Sequence, residues 1–218
     1  MLRAFIVNNI NVIYAENGFR TYLDWADLKS NYSSITDDFH RVISPKSTRL
    51  FNSEQLASIY EMPFFSSLKS LIGQFSVTQE ENYGLPEIYW RITRTNKNTD
   101  IGPIHADGWF WDLNPSWQPD HYTNRTKVWV PLEVHLGRNG LNVVPGSHNK
   151  SYQYQVIEYD GKRKPSILSI IDPNDISLLD METSDIVIFH DRLLHGGALN
   201  TSCYPRVSFE FTCSKING

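Results

Sequence analysis

His105-Ala106-Asp107 sets an imidazole and a carboxylate two positions apart. On a β-strand, side chains at i and i+2 project from the same face, so this pair can bind one metal ion together. A third ligand has to come from elsewhere in the chain. His195 is the best-placed candidate. It follows the strand-like run Asp185-Ile-Val-Ile-Phe-His190 and lies in the loop Asp191-Arg-Leu-Leu-His-Gly-Gly197. Two imidazoles and one carboxylate are a donor set that suits Fe(II) and leaves coordination positions open for other ligands. An isolated HxD triplet says little, because such triplets arise by chance and an exposed His beside an Asp is the commoner case.

What lies downstream makes the triplet chemically coherent. Arg206 follows His195 on the next strand-like run, and Ser208 stands two positions further on, with its hydroxyl on the guanidinium's face. A guanidinium grips a carboxylate through two parallel hydrogen bonds, a geometry that Lys lacks. Arg206 with Ser208 therefore suits the distal carboxylate of 2-oxoglutarate. The plain alternative for Arg206 is a surface ion pair, for instance with Glu210. Among the other histidines, Glu133-Val-His135 repeats the i, i+2 spacing, but no third ligand or carboxylate anchor stands at a sensible distance from it. His148 in Pro-Gly-Ser-His reads as a turn residue and His190 as a core or supporting residue. His40 and His121 read as loop residues.

These groups need a scaffold, and the texture of the chain changes near residue 85. Before it the signals are helical. Pro63 suits the first turn of a helix whose Phe64, Phe65, Leu68, Leu71 and Ile72 share a face and which Gly73 can end. Ser53 can cap an earlier helix carrying Leu56, Ile59 and Tyr60, and Tyr22, Leu23, Trp25 and Ala26 suggest a third. After residue 85 strands dominate. The candidates are Ile88–Arg94, Ile104–Phe110, Lys127–Val134, Ser151–Tyr159, Ile167–Ile171, Ile186–His190 and Arg206–Cys213. Each is rich in β-branched or aromatic residues and bounded by Gly, Pro, Asn or Asp. Many short strands in succession point to a sandwich or barrel, and helices followed by a β-core give an α+β class.

The stretch from Trp90 to Cys213 resembles the phytanoyl-CoA dioxygenase-like family of Fe(II)/2-oxoglutarate-dependent oxygenases. The matching pieces, in order, are His105-Ala-Asp107, Val128-Trp-Val-Pro-Leu-Glu133, Asn139-Gly140, Val144-Pro-Gly-Ser-His148, Ser184-Asp-Ile-Val-Ile-Phe189, His195-Gly-Gly197, Asn200-Thr-Ser202 and Arg206-Val-Ser208. The resemblance implies a double-stranded β-helix core of the jelly-roll or cupin-like kind, with iron at its mouth and N-terminal helices packed outside. One domain would span 1–218, mainly helical over 1–85 and β-helical over 86–218. It implies Fe(II) held by His105, Asp107 and His195. It also implies 2-oxoglutarate held by Arg206 with Ser208, O2 as cosubstrate, and succinate and CO2 as products.

Two departures stand out. Members of the family often carry Gln three residues before the first His, where this chain has Gly102, and Gly where this chain has Ser184. For the missing Gln, Thr93, Trp111, Lys127 and Trp129 are candidate replacements in binding the cosubstrate, although a Trp is more often simply core. Halogenating members replace the carboxylate with a small residue, so Asp107 favours hydroxylation. Desaturation and ring formation stay open.

Trp109, Phe110, Trp111, Trp117, His121 and Tyr122 follow Asp107. Of these, Trp109, Trp117 and Tyr122 are candidates for a substrate pocket, and Asp112 to Thr126 reads as a structureless loop that covers it. A small secondary-metabolite or carbohydrate-type substrate is favoured. A non-catalytic β-sandwich that binds a ligand or protein, or a cupin-like metal isomerase, remains the alternative.

Composition narrows the field further. A chain of 218 residues with 40% hydrophobic residues can bury a core without staples. The net charge is −4, and the basic residues are scattered. The run Lys162-Arg163-Lys164 reads as an exposed turn, so nothing attracts nucleic acid. No apolar run is long enough to span a membrane. Cys203 and Cys213 read as ordinary buried thiols. A cytoplasmic protein acting on a small molecule is the resulting expectation.

Overall fold

The computed structural model describes residues 1–19, 23–81, 83–117, 122–159 and 162–216. Helices occupy the N-terminal part: α1 (Leu2–Glu16), α2 (Trp25–Asn31), α3 (Asp37–Ile43), α4 (Ser53–Tyr60) and α5 (Pro63–Ile72). In α1, Leu2, Ile6, Ile10 and Tyr14 recur at every fourth position and are all buried. The Asn residues that interrupt its sequence pattern face elsewhere. One of them, Asn11, ties down the next segment by accepting from the Leu23 N–H and donating to the Leu23 carbonyl, both at 2.8 Å. Of the residues expected in the next helix, Leu23 and Tyr22 precede α2, and Tyr22 lies outside the described residues.

Helix ends follow capping chemistry. Asp24 caps α2 in a capping box with Asp27, and Asn52 caps α4 in another with Gln55. Ser53, expected as that cap, is instead the first helical residue. Helix α5 begins at Pro63 and stops at Gly73, whose φ of 86° is open to a residue without Cβ. Its buried face is narrower than expected: Phe65 and Leu68 are buried, whereas Leu71 is 73% exposed.

The strands are β1 (Phe75–Val77), β2 (Tyr89–Thr93), β3 (Tyr122–Glu133), β4 (Leu141–Val143), β5 (Tyr154–Tyr159), β6 (Lys162–Ile167), β7 (Ser177–Leu178), β8 (Val187–His190), β9 (His195–Gly197) and β10 (Arg206–Ile216). A short helix, α6 (Asp107–Leu113), lies between β2 and β3. All pairings are antiparallel. The larger sheet runs β1-β10-β3-β8, with β2 also on β10. A second sheet runs β7-β4-β9, and β5 with β6 forms a separate hairpin.

Strand β10 shows how the layers are made. Val207, Phe209, Phe211 and Cys213 join the apolar cluster that includes Ile6, Ile10, Phe65 and Leu68 of the helices. Phe211 stacks on Phe65 with ring centroids 5.4 Å apart. The alternate residues Arg206, Ser208, Glu210, Thr212 and Ser214 are polar yet equally buried, so they face inward from the other side of the sheet. A smaller apolar cluster that includes Trp129, Leu141, Val143, Met181 and Phe189 draws on both sheets.

Five expectations need correction. Ile104–Phe110 is not a strand: Asp107 opens α6, and His105 makes only an isolated antiparallel bridge to His195. Ile167–Ile171 is not one either; the strand is β6, whose register pairs Glu158 with Arg163 and Val156 with Pro165. Lys162-Arg163-Lys164 is therefore strand, not turn. Asp112–Thr126 is not structureless, since α6 runs to Leu113, a 3-10 turn covers Pro115–Trp117, and β3 has begun at Tyr122. Cys203 is exposed, while Cys213 is buried; both are free. Among the described residues no helix is long and apolar enough to cross a membrane.

Candidate metal and carboxylate site

The two histidines of the proposed triad are backbone neighbours. His105 N–H donates to the His195 carbonyl and His195 N–H to the His105 carbonyl, both at 2.9 Å. This reciprocal pair fixes the two side chains beside each other. Each ring is then oriented by a carbonyl two residues back: His105 Nδ1 lies 2.8 Å from Pro103 O, and His195 Nδ1 2.9 Å from Leu193 O. A carbonyl only accepts, so each Nδ1 carries the proton and each Nε2 keeps a lone pair for a metal.

Asp107 sits between them, with Oδ1 3.6 Å from His105 Nε2 and Oδ2 3.6 Å from His195 Nε2. The donor atoms of the three residues lie within 4.8 Å of one another, close enough to hold one ion. Asp107 reaches this position as the first residue of α6, a geometry that HxD strand alternation does not describe. Among the described residues this is the only such group of His, Cys, Asp and Glu. His135 does approach Glu133, at 3.4 Å, but Glu133 is taken by Lys29 at 2.9 Å.

The electrostatics agree with a cation site. Burial would push the Asp107 carboxyl up, but Lys127, His195 and His105 outweigh it and hold the group ionised, well below the usual carboxylate range. Burial pushes His195 down to about 4, against the pull of Asp107, so its ring is neutral near pH 7 and able to ligate. Asp107 Oδ2 is buried and has no hydrogen-bond partner. Two anchored Nε2 atoms and an unsatisfied carboxylate oxygen fit a divalent metal.

Arg206 lines the same pocket as the triad and is 3% exposed. Its Nη1 donates to the Gly140 carbonyl at 2.7 Å, its Cζ lies 5.8 Å from the centre of the Trp129 ring, and its Nε has no hydrogen-bond partner. Glu210, the ion-pair partner in the plain alternative for Arg206, is engaged by Arg91 and Lys127 instead. Among the described residues no carboxylate lies within ion-pair distance of Arg206. Gly197 makes room for it: a Cβ there would come within 3.2 Å of Arg206 Nη1. Burial, and Arg91 nearby, push the Arg206 guanidinium down to about 10, against the pull of Glu210 and Asp100. Ser208 Oγ is buried and unpartnered, as is Thr93 Oγ1 on the strand position opposite Arg206.

The remaining candidates divide. Trp129 lines this pocket. Lys127 lies beside Asp107, with Nζ 3.6 Å from Oδ2. Trp111 does not line the pocket; it is core, with Arg125 over its ring at 4.8 Å and Trp117 edge-on at 6.0 Å. That contact tacks Trp117 onto α6. Trp109 stacks on Tyr154 at 4.8 Å and lines a separate cleft with Lys150, Tyr152 and Arg192. Tyr122 is the first residue of β3, its side chain lying outside the described residues, as does His121 entirely. His40 is in α3, buried and bonded to Tyr32 OH at 3.0 Å, not in a loop. His148 and His190 stack on each other at 5.9 Å.

Sequence reasoning missed Arg91, Glu210 and Asp100 as residues that line the pocket. Strict polar alternation along β10 was the available signal for Glu210.

Comparison with known proteins follows the same line. The family model for phytanoyl-CoA dioxygenase (PhyH) matches residues 20–208. None of the curated protein sequences matches the chain. Among solved structures, EvdO2 from Micromonospora carbonacea var. aurantiaca superposes with a TM-score of 0.54 at 13% identity, covering 75% of this chain. It is also known complexed with 2-oxoglutarate. The chain spans 64% of the length of EvdO2. The non-heme monooxygenase ThoJ superposes with a TM-score of 0.55 at 12% identity, over 95% of this chain and 70% of that one. With most of its length matched by one family and its fold shared with such structures, the chain belongs to the phytanoyl-CoA dioxygenase family.

Proposed function

We propose that this protein is an Fe(II)- and 2-oxoglutarate-dependent oxygenase that hydroxylates an unactivated C–H bond of a small molecule, of secondary-metabolite or carbohydrate type. The observation that carries this reading is one pocket holding both a His-Asp-His group and a buried arginine with no carboxylate partner. His105, Asp107 and His195 would hold the iron, which when bound supplies the oxidising chemistry with O2. Arg206 would grip the distal carboxylate of 2-oxoglutarate through Nε and a terminal nitrogen, while Gly140 O keeps the fork in plane. Ser208 Oγ, two positions along β10, and Thr93 Oγ1, opposite Arg206, are buried and unpartnered but are not among the residues that line the pocket. The carbonyls of Pro103 and Leu193 keep both imidazole protons on Nδ1, so neither Nε2 has to lose one.

We take the two sheets as the walls of a double-stranded β-helix within a single domain. A cytoplasmic setting, where Cys203 and Cys213 stay reduced, belongs to the same reading. Asp107 fills the position that would have to be vacated for halide binding, so hydroxylation is the favoured outcome.

The test is direct. Purified protein given Fe(II), O2 and 2-oxoglutarate should form succinate, and chelation of the metal should stop it. Metal binding without any interaction with 2-oxoglutarate would instead favour a cupin-like isomerase.

A further inference from the structure

Lys127 is a strange neighbour for a cation site. It projects from β3, is 2% exposed, and places Nζ 3.6 Å from Asp107 Oδ2 and 3.6 Å from Glu210 Oε2, while donating to Tyr89 OH at 3.1 Å. A divalent ion bound by Asp107 would be repelled by an ammonium this close, and little water is present to screen the two. Lys127 does not line the pocket, so it does not meet a ligand there by contact. Its effect reaches the site through Asp107 and through its field.

The sum of charges shows which way that field acts. Arg91, Lys127 and Arg206 are three cations around the site, set against the two carboxylates Asp107 and Glu210. Asp100, the other acid on the wall, is matched by Arg94. These five groups by themselves leave one positive charge over; Glu80, which also pulls on Lys127, is paired with Lys46. Replacing Lys127 by a neutral residue would bring the five groups to balance.

We propose that Lys127 divides affinity between the two ligands: it weakens divalent-metal binding to the empty triad and strengthens 2-oxoglutarate binding to the metal-loaded one. This rests on the oxygenase reading above. In this role Lys127 acts through its charge, 3.6 Å from Asp107 Oδ2 and without a hydrogen bond to it. It also biases the site so that the metal is retained firmly only once the dianion is present.

A loss of structure and a loss of charge give different signatures. Calorimetric titration of Mn(II) alone, then of 2-oxoglutarate into Mn(II)-loaded protein, separates them. In Lys127→Met the Mn(II) dissociation constant should fall by about threefold or more, and that for 2-oxoglutarate should rise by about threefold or more. In Glu210→Gln, which removes one negative charge, both shifts should reverse. Weakening of both ligands in Lys127→Met, as a loosened Asp107 would produce, overturns the proposal, and so does no change in either. Should Lys127→Met fail to fold, the Glu210→Gln shifts decide the matter alone. Wild-type protein that binds neither ligand overturns the oxygenase reading itself, whereas wild type that binds both while the variants do not shift overturns only this one.

Discussion

Two buried polar regions lie at either end of the segment between Arg94 and His105, and they are built to opposite rules. Around Arg94 every charge is matched within the protein. Its backbone N–H and Nε donate to Asp100 Oδ2 at 2.8 and 2.9 Å, Nη2 donates to Oδ1 at 2.7 Å, and Nη1 donates to Asp37 at 2.7 Å. His40 closes the group, 3.4 Å from Asp100 and 3.0 Å from Tyr32 OH. Around Arg206, by contrast, Arg206 Nε, Ser208 Oγ, Thr93 Oγ1 and Asp107 Oδ2 are buried without hydrogen-bond partners. Buried polar groups are nearly always satisfied. Where the partner is another side chain, the group braces the fold. Where several neighbours lack partners together, as here, the proposed function makes the missing partner a ligand.

If this contrast is right, substitutions in the two regions fail differently. The largest effect falls on the triad. His105→Ala, Asp107→Ala or His195→Ala should each reduce Fe(II)-dependent succinate formation to background while the circular-dichroism spectrum stays that of the wild type. Full turnover in any one of them would remove that residue from the metal site.

The Arg94 brace comes next. Asp100→Ala leaves the buried Arg94 guanidinium with Asp37 as its one carboxylate among the described residues and should cost about 3–5 kcal/mol of folding stability in urea titration. Arg206→Ala should cost about 2–5 kcal/mol too, but in 2-oxoglutarate affinity, with stability unchanged or raised because an unpaired buried cation is removed. Equal stability losses in the two would erase the distinction between brace and site.

A smaller effect comes from pH. Burial pushes His40 down to about 4, against Asp100, while an unfolded histidine titrates near ~6.5. Between those values the unfolded chain holds the proton and the folded chain does not. Stability should therefore fall as pH drops from about 6.5 toward 4. His195 acts in the same direction in the metal-free protein. His40→Gln should flatten the slope of stability against pH by up to one proton whether or not metal is bound. An unchanged slope would mean His40 is already protonated in the fold.

Which residues would gather in this pocket was largely legible in the sequence, for a physical reason. Donor chemistry is carried by residue type, so His105, Asp107, His195 and Arg206 could be picked out as candidates before any geometry was known, and the structure brings them together. Alternation along β10 was equally plain, because one face packs on helices and the other does not. What escaped was local geometry. Asp107 reaches the site from a helix N-terminus, which i, i+2 spacing cannot distinguish from a strand. Strands β4, β7 and β9 are only two or three residues long and carry no period. Helix α1 was hidden by Asn residues that face away from its buried stripe. Trp111 and Trp117 were read for a pocket, yet they pack on each other, since an aromatic's type does not say which surface it will cover.

The most direct test of the central claim compares two ligands on Mn(II)-loaded protein. 2-Oxoglutarate and pyruvate share the keto acid that chelates a metal, and only the former has a distal carboxylate. Calorimetry should show 2-oxoglutarate binding far more tightly than pyruvate in the wild type, with the gap closing in Arg206→Ala because 2-oxoglutarate weakens while pyruvate does not. Binding of 2-oxoglutarate that is unaffected by Arg206→Ala, or that persists in metal-free protein at full strength, would contradict the assignment of this pocket.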